Sequence, residues 1–246
     1  MKIGYFSPSY KRPQKSITQI KYPFVKLIVK ESEAKEYLEN KNDIIICPDN
    51  AQGNIAKIRN YILDKYSNDF DAIVIIDDDC KGIGYWEKQK YNVLNADDLQ
   101  EFFESMYILT KEFDFKLFGF NCVIDKGAYR EHTPFSTTKF IGAPCSMILK
   151  GNECRYDEEI PLKEDYDYTL QNLKKYKGVL RANFASYDVK QAEQKGGCAN
   201  MRNQKEEERQ FNLLQKKWGT KIIQSDSKSK RKFDFNPILK SPIKGV

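Results

Sequence analysis

Histidine is almost missing from this sequence: among 246 residues only His132 is one. No multi-histidine metal site and no histidine-based triad is therefore expected, and His132 itself sits in a polar stretch suited to the surface. The six cysteines, at 47, 80, 122, 145, 154 and 198, show no Cys-x-x-Cys spacing. Several lie in apolar runs, which favours reduced thiols in a cytoplasm over a disulfide framework or a zinc site. Neither Gly-x-x-x-x-Gly-Lys-Ser/Thr nor Gly-x-Gly-x-x-Gly occurs, and the usual kinase and dinucleotide readings go with them. No apolar window is long enough to span a bilayer. Met1 to Phe6 leads straight into a strand-like run without a secretory leader, so a cytoplasmic protein with no membrane partner is expected. No internal repeat is visible.

What is present is an ordinary globular composition with abundant aromatics, long enough to bury one α/β core. We expect one domain over residues 1–220 and a basic tail over 221–246. The formal charge of +6 is unevenly placed: residues 216–246 hold nine Lys/Arg against two Asp. Lys228, Lys230, Arg231 and Lys232 form a segment that attracts nucleic acid through counterion release; a solvated tail that aids solubility is the competing reading.

The organising stretch is Ile73-Val74-Ile75-Ile76-Asp77-Asp78-Asp79-Cys80. Branched apolar residues without alternation predict a strand covered on both faces, central in a parallel sheet. Three carboxylates at its C-terminal end lie where open α/β sheets bind ligands. Before it, Lys2–Phe6, Phe24–Val29 and Asp43–Cys47 read as strands. Ser32 is expected to cap a short helix through Leu38, and Ile55, Ile58 and Ile62 mark a helical face with Arg59 and Asn60 off it. This alternation predicts right-handed βαβ units. After it, 80–95 is mixed in polarity and reads as irregular, a mobile flap. A helix from Asp97 or Asp98 follows, then strands at 115–120, 141–149 and 179–185. Further helices open near Glu164 and carry Phe211, Leu214 and Trp218.

An Asp-x-Asp at a strand end supplies hard oxygen ligands for Mg²⁺ or Mn²⁺, which share their sphere with phosphates, so a nucleoside diphosphate is the natural partner. A solvated acidic turn is the bland alternative. Glu164-Asp165 at a helix start serves either as a general base or only as a complement to the helix dipole. Lys195-Gly196-Gly197 either wraps a pyrophosphate or is an ordinary loop.

Taken together, these pieces resemble a GT-A fold glycosyltransferase over roughly residues 2–220. Pro8-Ser9-Tyr10-Lys11-Arg12 is similar to the nucleotide-binding Pro-Thr-Tyr-Asn-Arg loop of family-two transferases, with Ser9 for Thr and Lys11 for Asn. Gly53-Asn54-Ile55-Ala56-Lys57-Ile58-Arg59-Asn60 resembles their Gly-x-Ala-x-Ala-Arg-Asn helix. Asp77-Asp78-Asp79 resembles the Asp-x-Asp, and Glu164-Asp165 the Glu-Asp motif. Within that superfamily Phe140–Pro144, Lys163–Asp167 and Lys217-Trp218-Gly219 look most like the TET-associated glycosyltransferases, a group linked to phages and mobile elements.

The resemblance implies a single-domain GT-A (Rossmann-like) α/β fold, a mostly parallel sheet flanked by helices. It implies a UDP-sugar donor, glucose the expected sugar, bound by Pro8, Ser9, Tyr10, Arg12, Asp49, Gly53, Arg59, Asp77 and Asp78. Asp79 and Asp77 would hold Mn²⁺ or Mg²⁺, and Lys195, Gly196 and Gly197 the diphosphate. Asp165 or Glu164 would act as base in an inverting reaction. The implied acceptor is a hydroxymethylpyrimidine in DNA such as 5-hydroxymethylcytosine, with the location a host cytoplasm for a phage-encoded enzyme. The C-terminal metal-binding histidine usual in the superfamily has no counterpart. The alternatives are a protein, glycan or small-molecule acceptor, a sugar nucleotidyltransferase, and an inactive nucleic-acid-binding module.

Overall fold

The computed structural model describes residues 1–125, 127, 129, 131–189, 201–226 and 235–240. The first half alternates strand and helix: β1 (Ile3–Pro8), α1 (Ile17–Lys21), β2 (Lys26–Lys30), α2 (Ala34–Glu39), β3 (Ile44–Cys47), α3 (Ile55–Tyr66) and β4 (Ala72–Ile76). The second half holds β5 (Cys80–Glu87), β6 (Lys90–Val93), α4 (Ala96–Glu112), β7 (Leu117–Asn121), β8 (Phe135–Ser136), β9 (Cys145–Leu149), α5 (Glu164–Tyr176) and β10 (Leu180–Val189). It closes with α6 (Gln204–Trp218), β11 (Ile223–Ser225) and β12 (Pro237–Leu239).

One sheet runs in the order β3-β2-β1-β4-β9-β7-β10-β5-β6, with β8 on β10. The pairings are parallel from β3 through β4 and again between β7 and β10, and antiparallel elsewhere. Seven of the ten strands consequently point one way, with β5, β8 and β9 opposed. The expected parallel neighbourhood of β4 holds on its β1 side only; β9 runs antiparallel on the other.

The unbroken apolar run of β4 follows from burial on both faces. Ile73 and Ile75 join the core beneath α3, α5 and α6, with Ile58, Ile62, Leu170, Leu173, Phe211 and Leu214. Val74 and Ile76 join the opposite core with Phe103 of α4, Phe118 and Met147. Asparagines start three of the four longer helices: Asn54, Asn95 and Asn203 each accept the N–H three residues on, satisfying a first-turn donor.

Three expectations are corrected. Residues 80–95 are not irregular: β5 and β6 form an antiparallel hairpin paired on to β10. Its mixed polarity hides the pairing; a Cβ on Gly84 would lie 2.4 Å from the Asn92 carbonyl oxygen, so glycine there permits close strand approach. Ser32 caps no helix; it lies in a 3₁₀ turn (Glu31–Glu33) and its N–H donates to Asp49. Residues 141–144 precede the strand, which begins only at Cys145.

The expected domain edge at 220 falls just ahead of β11, whose Ile223 is fully buried against α6 and its core. No described helix is long and apolar enough to cross a membrane. The five described cysteines are all free.

Candidate active site

The β1–α1 loop folds over the end of β4 and fixes its acids. Ser9 Oγ donates to Asp78 Oδ2 at 2.5 Å and meets the Tyr37 hydroxyl at 2.8 Å. Arg12 NH1 reaches Asp78 Oδ1 at 2.7 Å and Asp79 Oδ2 at 3.5 Å. The backbone of the acidic turn is held from α1, an element too short to show a periodic face in the sequence. Ser16 Oγ donates to the Asp78 carbonyl at 2.9 Å and Thr18 Oγ1 to the Asp77 carbonyl at 2.6 Å; Thr18 Oγ1 in turn accepts the Cys80 N–H at 2.9 Å. Asp78, 7 % exposed, is thus consumed in orienting the loop.

Asp79 differs. Burial first, then the charges of Asp77 and Asp78, push its carboxyl from 3.8 to about 7, with Arg12 opposing. A crowded carboxylate of this kind is a hard oxygen donor whose excess charge a divalent cation would neutralise. Among the described residues no group of three His, Cys, Asp or Glu side chains closes a metal site. The donor set therefore fits an ion taking one or two carboxylates and completing its sphere with phosphate oxygens and water, as Mg²⁺ usually does.

Arg59 joins this cluster to the acids of α5. Only 2 % exposed, it donates to Asp77 Oδ1 at 2.8 Å and to Glu164 Oε1 at 2.5 Å, and contacts the Ala143 carbonyl at 3.4 Å. Its guanidinium also lies 5.6 Å from the Tyr156 ring centroid. The next residue, Asn60, staples the same loop by exchanging hydrogen bonds with the Tyr156 backbone at 2.9 and 2.8 Å. Burial, then Asp165, pushes Glu164 upward against Arg59; burial also raises Asp165, with Arg59 again opposing. Asp165 Oδ1 accepts the Tyr166 N–H at 2.9 Å.

The remaining expected residues fall on the same strand ends. Pro8 closes β1 and is buried, while Tyr10 lies with the ammonium groups of Lys11 and Lys30 at 5.2 and 5.3 Å from its ring centroid. Asp49, exposed after β3, is held low by the N–H of Ser32. Gly53 takes φ +149 before α3, a backbone that favours glycine. Lys195, Gly196, Gly197, Lys228, Lys230, Arg231 and Lys232 lie outside the described residues. His132 is exposed, as expected.

Sequence reasoning missed the support behind the acids. Lys163, immediately before Glu164, forms a buried ion pair with Glu207 of α6, which Arg202 also contacts at 3.2 Å. Asp167, fully buried, accepts from Trp218 Nε1 at 2.7 Å and pairs with Lys217 at 2.9 Å. Lys163–Asp167 and Lys217-Trp218 thus meet across the α5–α6 contact; charge spacing on α6 alone reads as a solvated face.

Among solved structures, the chain is similar to S. aureus TarS 1–349 at 14 % identity and TM-score 0.46, covering 76 % of this chain and 59 % of that one. The same protein in complex with UDP gives 16 % and 0.47 over equal shares. A cytidylyltransferase from Leptospira borgpetersenii gives 12 % and 0.42, covering 72 % of this chain and 74 % of its own. The chain thus spans about three-fifths of the TarS segment. No curated protein matches it. The model of the TET-Associated Glycosyltransferase family matches residues 5–197, which include Ser9, Arg12, Arg59, the three aspartates and Glu164-Asp165. With the match over three quarters of its length and those residues inside it, the chain belongs to the TET-Associated Glycosyltransferase family.

Proposed function

We propose that this glycosyltransferase moves a sugar, glucose in our reading, from a UDP-sugar to the hydroxyl of a modified DNA base such as 5-hydroxymethylcytosine. The observation that carries the reading is the Asp77–Arg59–Glu164 bridge. It couples a carboxylate cluster suited to a metal-bound diphosphate with a pair of acids suited to an acceptor hydroxyl.

In this reading the nucleoside lies against Pro8, Ser9, Tyr10, Arg12, Asp49 and Gly53, with Asp77 and Asp78 at its ribose side and Lys195–Gly197 toward the diphosphate. Arg59, spent on two carboxylates, orients rather than touches the donor. Asp79 and Asp77 would hold Mn²⁺ or Mg²⁺, which when bound would supply Lewis-acid neutralisation of the leaving diphosphate. Glu164 is committed to Arg59, so Asp165 is the base. It takes the acceptor hydroxyl proton as the oxygen bonds to the anomeric carbon and the bond to the diphosphate oxygen breaks. The acceptor base is extruded from the duplex to reach the sugar. Lys228, Lys230, Arg231 and Lys232 hold DNA phosphates. The catalytic domain runs over residues 1–220, and 221–246 is a basic extension anchored by Ile223.

The test is mass spectrometry of a 5-hydroxymethylcytosine duplex incubated with protein, Mn²⁺ and a panel of UDP-sugars, alongside Asp79→Ala. A hexose-sized mass gain lost in the variant is expected. UDP-sugar hydrolysis without base modification would move the acceptor to another class.

A further inference from the structure

Every described arginine but one has a carboxylate partner: Arg12, Arg59, Arg155, Arg202 and Arg209 all form ion pairs. Arg181 of β10 is the exception. Half-buried, it pairs with no described carboxylate, and its one hydrogen bond to a described residue runs from Nε to Asn183 Oδ1 at 3.0 Å. Asn183 is itself fixed by its neighbours. Its Nδ2 donates to the Thr133 carbonyl and Ser136 Oγ, both at 2.8 Å, and its N–H to the Pro134 carbonyl at 2.8 Å. The guanidinium is therefore held in orientation while its terminal nitrogens stay uncommitted among the described residues. Burial accordingly pushes its pKa down. A desolvated, unpaired cation in a fixed orientation is costly, and an oxyanion received in its fork removes the cost.

Segment 141–143 links the surroundings of the arginine to those of the α5 acids. Arg181 is in register with Gly119 on β7 and Ser136 on β8, so the three share a sheet face. A Cβ on Gly119 would lie 2.3 Å from Ile141 Cγ2, so Ile141 covers the position next to Arg181. From there the chain passes Gly142, crowded by the Tyr187 hydroxyl and Cys122 Sγ, to Ala143, which contacts Arg59. Cys122 lies in the electrostatic reach of both Arg181 and Asp165. The donor residues sit instead on the β1–β4 half of the sheet, with β9 and β7 intervening.

We propose that Arg181 forms an acceptor-side anion site that receives a phosphodiester of the nucleic acid presenting the hydroxyl; in naming DNA it rests on the function proposed above. The test uses the full chain with saturating UDP, as wild type, Arg181→Gln and Arg181→Lys. Fluorescence anisotropy on a 5-hydroxymethylcytosine duplex over a salt series reads affinity.

Arg181→Gln is expected to weaken binding about tenfold for every sequence and to make the slope of log K against log salt shallower by about one. Arg181→Lys keeps charge but not the fork, and should fall between. A methylphosphonate at one backbone position should erase the difference between wild type and Arg181→Gln. The glutamine variant should melt at or above wild type, because an uncompensated charge is gone; a merely structural arginine would lower the melting temperature. Unchanged affinity and slope in a chain that binds DNA would overturn the site, as would weakened binding accompanied by a lowered melting temperature. Should wild type bind no DNA, the DNA reading fails by itself and inorganic phosphate becomes the probe. A phosphate-induced rise in melting temperature seen in wild type but not in Arg181→Gln upholds the anion site, whereas equal or absent rises in both sink it.

Discussion

Arg59 NH1 and Glu164 Oε1 lie 2.5 Å apart in a buried ion pair that joins residues 105 positions apart in the chain. Removing the arginine leaves two carboxylates, Glu164 and Asp77, without their common partner. Arg59→Met is expected to cost about 3–5 kcal/mol in stability, as breaking a buried pair does. UDP-sugar turnover should fall at least 100-fold. Arg59→Lys should not restore it, because one ammonium cannot span both carboxylates. Chemical denaturation and a UDP-release assay check both statements.

The Asp79 carboxyl, lifted from 3.8 to about 7 by burial and its acidic neighbours, sets a pH dependence in the metal-free protein. An acid whose folded pKa is raised favours the folded state when protonated. Its contribution is therefore fully present below about pH 4 and is lost as pH rises toward 7. In chelator, Asp79→Asn should remove that slope and raise the melting temperature at pH 8 relative to wild type. A variant melting curve with the wild-type pH slope between pH 4 and 7 would contradict the assignment.

Asp167 is buried with Lys217 and Trp218 as its partners. Asp167→Ala strands the Trp218 indole N–H and takes an acceptor from Gln171, while Lys217 keeps Asp157, and should destabilise by about 3 kcal/mol. For a chain of this size that is a melting shift of about 10 °C. Tryptophan fluorescence should report the released Trp218 before global unfolding.

Gly142 has no space for a side chain: a Cβ would lie 2.2 Å from the Tyr187 hydroxyl and 2.7 Å from Cys122 Sγ. Gly142→Ala should cost about 1–3 kcal/mol by overpacking and depress turnover, since Ala143 next door contacts Arg59. Adding Tyr187→Phe should recover part of both losses by removing the crowding oxygen, which a double-mutant cycle measures.

The elements written in local chemistry were legible in the sequence. β4 announces itself by four branched residues ahead of three acids, and α3 by isoleucines on one face behind an asparagine cap. The elements that depend on distant partners were not. The β5–β6 hairpin hides behind a mixed polarity that only its pairing with β10 explains, and α1 is a five-residue helix whose side chains grip backbone about sixty positions away. For the site the division is the same. The acids stand out, whereas the roles of Arg59, Glu207 and Arg181 emerge only from which opposite charges they reach or fail to reach.

The grip of α6 on α5 also dictates when a newly made chain can work. Lys163 waits for Glu207, and Asp167 waits for Lys217 and Trp218. On the ribosome, the sheet and its acidic turn can assemble while these late residues are still in the exit tunnel, because domains fold from the N-terminal side during synthesis. Arg59 already meets Glu164, but Lys163 and Asp167 at the start of the same helix have no counter-charges until α6 emerges, so a chain cut short before α6 is expected to be silent.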